Sequence, residues 1–520
     1  MRLETPPWIH WLILGKITRR LLIAFCVLAV VAGGSLVYIC VTDPSCGKDV
    51  EKRGPDDECT GVTDGDAVFA PFLKTVFGRV KEENDRIAPQ RHATIALMVP
   101  MDSDNAAERR QILEEVQGAY LAQFRANHFS NSRAPAIRLV LANPGRNNAH
   151  WRPVVDQLAK MTTSSGHDLR AVTGFNISMR STEQAIASLT NEKGIPVVGG
   201  PITADDIANS AQRPDAFKGL ARVAPTNTDE AAALASFDRT VKPSETTVVE
   251  DIREGDNYIS TLRRTFERLA AGAPLAPETY ESPRGNVNDE GNLSNDFHQM
   301  VTNICVSNAR HIYFAGRPVQ LRQFVNELGR RACADKHYTV ISGSHASTLA
   351  VDQKFDWDAL RRGRGITMRY ASLAHPDAWS GPRAPKTGGS AAAYRNLSDL
   401  VATLGTGPTA PVGEISLTDS RTIITYDSVS TAVAAIRNNT VGSVPMPTLT
   451  QVANSWLRLH GPNKVEGASG WICLDRYGNS YNKAVAVVHL DPNTKSARFD
   501  GLAWPEGAPP APNCTAPNRR

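Results

Sequence analysis

At 520 residues the chain exceeds what one compact core usually holds, so two or more domains are expected. Its composition is that of a globular protein, 41% hydrophobic and 21% charged. The net charge of +4 is small for this length and no dense Lys/Arg stripe accompanies it, which argues against a nucleic-acid partner.

Residues 1–20 form a short basic tail, and Leu21–Val41 that follows contains no charged residue. As a helix it would span about 31 Å, the thickness of a bilayer core. Lys16, Arg19 and Arg20 precede it and Asp43 follows, so the positive-inside rule predicts a cytoplasmic N-terminus and an extracytoplasmic remainder at the cell membrane. The competing reading is a cleaved signal peptide; the run exceeds the usual apolar region of one, and no Ala-x-Ala site follows. Cysteine usage agrees with export. Outside the apolar run lie Cys46, Cys59, Cys305, Cys333, Cys473 and Cys514, an even count that reads as disulfides. Six cysteines allow fifteen connectivities; the sequence-local couples 46–59, 305–333 and 473–514 are the preferred set. None has zinc spacing, and no metal site is expected.

Thr42–Asp66, rich in Asp, Gly and Pro, reads as a stalk, and the helical spacing of Val68, Phe72, Val76 and Val80 predicts a docking helix after it. Strands are then expected at Arg91–Met101, Ile137–Ala142 and Leu169–Phe175, alternating with helices at Ala106–Asn127, Trp151–Met161 and Glu183–Asn191. Ile195–Glu230 adds two short apolar runs. One ends at Gly199-Gly200-Pro201, the other at Pro225 ahead of an Ala-rich helix. A second series of the same kind begins near Thr246 and runs through His311–Gly316, Tyr338–Ser344 and Gly365–Leu373. Ser380–Asp419 reads as an insertion or long loop with one helical piece, Tyr426–Arg437 as a clear helix, Val465–Asp475 and Ala484–Leu490 as closing strands, and 506–520 as a loose Pro-rich tail. The pattern is that of open parallel α/β sheets, which bind ligands at the carboxyl ends of their strands.

The segments IPVVGGPIT, LARVAPTN, DNYISTL, YDSVSTAVAAI and VEGASGWICLDRYGN, in this order and spacing, resemble the type I periplasmic binding proteins over roughly residues 91–505. The likeness is to the branched-chain amino-acid-binding branch and to related receptor ligand-binding domains. The resemblance implies two Rossmann-like lobes joined by a three-segment hinge. The crossings are expected near Val241–Ser244, Leu373–Trp379 and Pro462–Gly467. The first lobe would then hold 91–241 and 374–463, and the second 242–373 and 464–505, with the stalk and docking helix at 42–90.

It further implies a small polar ligand clamped between the lobes. From the first lobe the matching positions are Asn176, Ser178, Ser181, Ile202 and Thr203, with Asp102 and Ser103 at the end of the first strand; each Ser or Thr also suits a helix N-cap. From the second lobe Tyr258 matches the aromatic residue that relatives present after the first strand; Arg317, Ser344 and His345, which follow later strands of that lobe, are further candidates by position, and all equally suit a packed helix residue or exposed loop groups. Amino-acid-binding relatives carry an acidic group where this chain has Gly343-Ser344-His345, which argues against a free α-amino acid. No GxSxG, HExxH or Walker loop occurs and Gly199-Gly200-Pro201 lacks the GxGxxG spacing, so neither catalysis nor a cofactor is implied. Two functions follow: a membrane-anchored solute-binding protein working with a transporter or a signalling membrane protein, or a ligand-free protein-interaction module on the same fold.

Overall fold

The computed structural model describes residues 45–516, apart from 130–133, 165, 382–383, 406–411 and 441–445. The expected tail and membrane helix, 1–41, lie outside the described residues. Among the described residues no helix is long and apolar enough to cross a membrane.

The chain opens with β1 (Ser45–Gly47), β2 (Val50–Arg53), β3 (Glu58–Thr63) and α1 (Lys74–Ile87). It then alternates through β4 (His92–Met98), α2 (Ala106–His128), β5 (Ala136–Asn143), α3 (Trp151–Met161), β6 (Leu169–Gly174), α4 (Arg180–Ala187), β7 (Val197–Gly199) and β8 (Leu220–Arg222). Helix α5 (Asn227–Phe237) leads to β9 (Thr246–Asp251), α6 (Asn257–Leu269), β10 (Glu278–Tyr280), α7 (Ser294–Val306), β11 (His311–Ala315), α8 (Pro318–Leu328), β12 (Tyr338–Ser342) and β13 (Ile366–Ser372). The chain returns through α9 (Ala391–Leu404), α10 (Arg421–Asn438), α11 (Leu449–Ser455) and the hairpin β14 (Val465–Gly467) and β15 (Gly470–Ile472), and closes with β16 (Val485–Asp491) and β17 (Ser496–Ala503).

Among the described residues two large sheets result, each built on five parallel strands, beside the small β14–β15 hairpin. In the first the parallel order is β5-β4-β6-β7-β8; in the second it is β10-β9-β11-β12-β13. Both read 2-1-3-4-5 in the chain order of each lobe, the doubly wound arrangement that opens a crevice at the strands' carboxyl ends. Continuous apolar runs make these strands: β4 is buried from Ala93 to Met98, as a parallel strand covered on both faces must be.

The segment expected as a stalk is instead sheet. β1, β2 and β3 extend the first sheet antiparallel, with β3 registered on β5 (Val62 opposite Ala142). Its Gly, Pro and Asp residues are turn chemistry: Gly54 and Asp57 take positive φ in the tight connection of β2 to β3. The added strands cover an edge of β5 that would otherwise be open to pairing. The predicted docking helix is α1, which buries Val76, Phe77 and Val80.

Two crossings also move. Helix α5 packs Ala231, Ala233 and Leu234 with Ile259, Leu262 and Phe266 of the second lobe, so the chain changes lobes at Pro225–Thr226, not at Val241–Ser244. The hairpin β14–β15 and its flanks bury Ala468, Ile472, Leu474 and Ala484 in the first lobe's core, whereas Val485 and Val487 belong to the second, so the last crossing follows Ala484 and not Gly467. The middle crossing follows Ser372, since Leu373, Ala374 and Trp379 pack in the first core. The strand β17 has no counterpart among the expected elements. The 380–419 segment contributes α9, whose Tyr394, Leu397 and Leu400 join the first core, and Gln117 on α2 donates to the Val412 and Glu414 carbonyls (2.9 and 3.1 Å). It therefore packs on the first lobe. Among the described residues the disulfides are Cys46–Cys59, Cys305–Cys333 and Cys473–Cys514, the last fixing the Pro-rich tail to the segment after β15.

Helix α10 is buried on nearly every side and crosses α2 at Gly118, where a Cβ would overlap the Thr422 carbonyl. Gly118→Ala should therefore destabilise the first lobe by about 1–3 kcal/mol through overpacking. Urea unfolding checks it, and a variant as stable as the parent would contradict so close a crossing.

Candidate functional site

The carboxyl ends of β6, β7, β9, β11 and β12 meet along one seam between the lobes. Its centre is a buried ion-pair group. Asp256, at the start of α6, accepts from Arg317 Nε and Nη2, both at 2.8 Å, and from Arg253 Nη2 at 2.7 Å, while its Oδ1 also caps α6 through the Ile259 amide. All three side chains are at least 97% buried. Burial opposes the charge on Asp256, but Arg317 and then Arg253 outweigh it and hold the carboxyl below its usual range. Arg317 lies over the Tyr258 ring at 5.0 Å, and Tyr258 stacks on His345 at 4.2 Å. Arg317 Nη1 is 2.9 Å from His345 Nδ1. Burial, then Arg317 and Arg421, push the imidazole well below its ordinary pKa. The ring is therefore neutral, Nδ1 accepts from Arg317, and the proton sits on Nε2.

The two lobes touch directly here. The Tyr258 amide donates to the Ser178 carbonyl (3.1 Å), the Arg180 amide donates to the Gly255 carbonyl (3.1 Å), and Asn257 Nδ2 donates to Glu183 Oε2 (2.9 Å).

Beside this seam is a hollow of about 50 Å³, lined among others by Glu108, Gln111, Asn176, Arg317, His345 and Arg421. Arg421, the first residue of α10, donates through Nη1 to Glu115 Oε1 (3.1 Å) and to the Asn176 carbonyl (3.4 Å). Asn176 Nδ2 donates to the other Glu115 oxygen at 2.7 Å. Burial pushes Glu115 up to about 7 in spite of Arg421. Burial also raises Glu108, whose Oε2 accepts from Ser103 Oγ and from Asn288 Nδ2 of the second lobe. Three polar atoms facing this region have no hydrogen-bond partner: Gln111 Nε2, Asn176 Oδ1 and His345 Nε2.

The predicted residues divide accordingly. Asn176, Arg317 and His345 line the hollow. Ser178 and Tyr258 lie beneath it, fully buried; Ser178 Oγ accepts from the Thr203 and Ala204 amides (3.3 and 3.4 Å) and so joins the loops after β6 and β7. Thr203 is fully buried with an unpaired Oγ1. Ser103 acts through Glu108. Three others do not reach the hollow. Ile202 is buried in the first lobe's apolar core because the loop after β7 folds inward over Arg222, which takes its carbonyl (2.9 Å). Ser181 turns away to the Asn147 carbonyl (2.5 Å), and Asp102 faces Arg146 at the outer rim (3.7 Å).

Ser344 answers the missing carboxylate. Its amide donates to Glu230 Oε2 (3.0 Å), a fully buried carboxyl on α5 that burial raises to about 8. Glu230, Asp256, Glu115 and Arg421 were not among the sequence candidates. Each stands at or near a helix N-terminus or inside a helix, where capping or packing explains it locally; the partner that gives it another role lies in the same lobe but far along the chain. Among the described residues no cluster of His, Cys, Asp and Glu has the geometry to hold a metal ion.

No family model matches the sequence, and no curated protein matches it. Solved structures do match. The leucine binding protein LivK from Thermotoga maritima aligns over all of its length and 80% of this chain, with a TM-score of 0.57 and 17% identity. The fold is that of the type I periplasmic binding proteins. The branched-chain amino acid substrate-binding protein LivJ from Streptococcus pneumoniae, in complex with isoleucine, covers 81% of this chain with all of its own (TM-score 0.56, 14% identity). A solute-binding protein from R. palustris in complex with 4-hydroxybenzoate covers 79% with 95% of its own (TM-score 0.51, 11% identity). At such identities the likeness is one of fold.

Proposed function

We propose that this chain is an extracytoplasmic binding protein that closes its two lobes on a small polar ligand. It is held to the membrane through Leu21–Val41, and it delivers the ligand to a transporter or reports it to a membrane partner. One observation carries the binding reading: the strand ends of both parallel sheets converge on a hollow whose lining atoms, Gln111 Nε2, Asn176 Oδ1 and His345 Nε2, are buried without partners. Buried polar groups are normally satisfied, and clefts of this kind are where open α/β sheets hold ligands. The hollow is far smaller than the about 300 Å³ of a typical ligand pocket, so the lobes must part to admit anything larger than a small head group. The apolar run and the three disulfides support the anchored, exported placement. Protease treatment of intact cells tests it: the domain beyond residue 42 should be cleaved without lysis.

The binding reading is tested by thermal unfolding of the full chain in detergent against a panel of amino acids, amides, sugars and small anions. A ligand at 100 times its Kd adds about 2.7 kcal/mol. A specific upward shift that Tyr258→Ala removes supports the clamp. The direct interlobe contacts of Ser178 with Tyr258 and of Arg180 with Gly255 favour the second reading, a closed module whose surface binds another protein. A flat response across the panel, with a membrane partner recovered by crosslinking, would establish that reading instead.

A further inference from the structure

We propose a second binding site on the first lobe, at the opposite pole of its sheet from the interlobe seam, for an uncharged, hydroxyl-rich ligand: a sugar or polyol. The proposal goes beyond the clamp and stands without it. The site is a cavity of about 590 Å³, against about 50 Å³ for the interlobe hollow, and is of the size of ligand pockets. One wall is the β1–β2 turn, at Lys48 and Asp49, with the end of β3 and the chain that leaves it. The other is Arg138, near the amino end of β5, with the last turns of α3 and the loop before β6. The added N-terminal strands therefore create the cavity, and the Cys46–Cys59 disulfide ties its outer wall together.

Three side chains that line it each bring a buried polar atom with no partner in the protein: Arg138 Nε, Gln157 Oε1 and His167 Nδ1. Two of them are held in place by their other ends. Arg138 Nη2 donates to Asp64 Oδ2 at 2.8 Å, and Gln157 Nε2 donates to the Asp49 carbonyl at 3.0 Å. What remains is a donor at Arg138 Nε and an acceptor at Gln157 Oε1. Burial, then Arg138, hold the His167 imidazole below its ordinary pKa, so the ring is neutral and Nδ1 suits either role. Buried polar groups are normally satisfied. A hydroxyl is the group that answers donors and acceptors alike, because it donates once and accepts twice. Val62, Val140 and Met161 add apolar surface for the C–H side of a sugar ring.

The charges around the cavity select against an ion. Among the described residues that line it, Lys48, Arg138 and Lys160 are matched in number by Asp49, Asp64 and Asp66. Arg138 is already paired with Asp64. Lys81, which reaches Asp66 at 3.7 Å from outside the lining, is itself matched by Asp85 at 2.5 Å. A carboxylate or an ammonium group entering here meets both signs and no excess of the opposite one, whereas charged ligands are recognised by complementary potential.

The test is calorimetric titration of the full chain, in a detergent without a sugar head group, with glucose, N-acetylglucosamine and maltose, and with glucosamine and glucuronate as charged counterparts. The expected result is that a neutral sugar binds at least tenfold tighter than either charged counterpart. Arg138→Lys, which keeps a cation beside Asp64 but removes Nε, and Gln157→Met, which removes the acceptor at similar volume, should each weaken that binding at least tenfold. Saturating sugar should also slow acetylation of the exposed Lys160 at the rim, read by mass spectrometry, while Lys354 on the second lobe reacts as before. Sugar binding that survives both substitutions and leaves Lys160 unprotected would lie elsewhere on the chain and overturn the proposal. Glucosamine or glucuronate binding as tightly as the neutral sugars would overturn it too, as would no binding by any of the five. None of these results bears on the interlobe clamp, whose residues the two substitutions do not touch.

Discussion

Asp256→Ala should destabilise the protein by about 3–5 kcal/mol, the cost of breaking a buried ion pair by removing one partner. Asp256 holds two guanidinium groups, Arg317 and Arg253, that are 2% and 3% exposed, and its loss leaves both without their carboxylate. It also uncaps α6, because its Oδ1 accepts from the Ile259 amide. Asp256→Asn keeps the acceptor for the cap and should recover only that smaller part. Urea unfolding of the two variants separates the contributions. A cost for Asp256→Ala no larger than that of a lost helix cap, about 1 kcal/mol, would show that the buried ion-pair group is not held as described.

Stability should fall as pH rises from about 6.5 to 8; below 6.5 the buried His345, held neutral in the folded protein, works with the opposite sign. Burial raises Glu230 to about 8 and Glu115 to about 7 in the folded protein, whereas the unfolded chain releases these protons near 4.5. Across this window the folded state binds more protons than the unfolded one, so the slope of unfolding free energy with pH is negative. Each tenfold difference in proton affinity is worth about 1.4 kcal/mol, which makes Glu230 by itself a matter of a few kcal/mol between pH 4.5 and 8. Asp256 works with the opposite sign and elsewhere: held below its usual range, it contributes stability that is present above its unfolded pKa of 3.8 and lost as pH falls below it. Glu230→Gln should flatten the fall between pH 6.5 and 8 while keeping the Ser344 amide bonded. A slope between pH 6.5 and 8 that Glu230→Gln leaves unchanged would contradict the burial of Glu230.

Much of this architecture is visible in the residues because it is local. The ATIALM run of β4 and the Ile259, Leu262 and Phe266 face of α6 carry their burial in their spacing. The cysteine couples are close enough in the chain for short loops. The first lobe crossing was misplaced because α5 is Ala-rich; such a helix has a weak apolar face and small side chains that can pack on either lobe. The β2–β3 hairpin was misread because its turn residues dominate a short segment whose buried positions, Val50, Thr60 and Val62, are few. The site divides the same way. Arg317 and His345 follow strands directly and could be read as cleft residues. Asp256 and Arg421 are helix-start residues, and Glu230 lies in the NTDE turn beside a capping box. Their partners, Arg317, Glu115 and Ser344, lie in the same lobe but 61, 306 and 114 residues away, a separation that no local periodicity encodes.

The central claim, a clamp that closes on a ligand, is tested most directly by the distance between the lobes. Gln184→Cys on the first lobe and Glu254→Cys on the second, with Cys26 and Cys40 replaced by serine, place spin labels at exposed positions across an open groove between them. The account predicts that the compound that raises the melting temperature converts a broad or longer distance distribution into one short separation. A distribution that is the same with and without that compound would contradict it and leave a rigid module in its place.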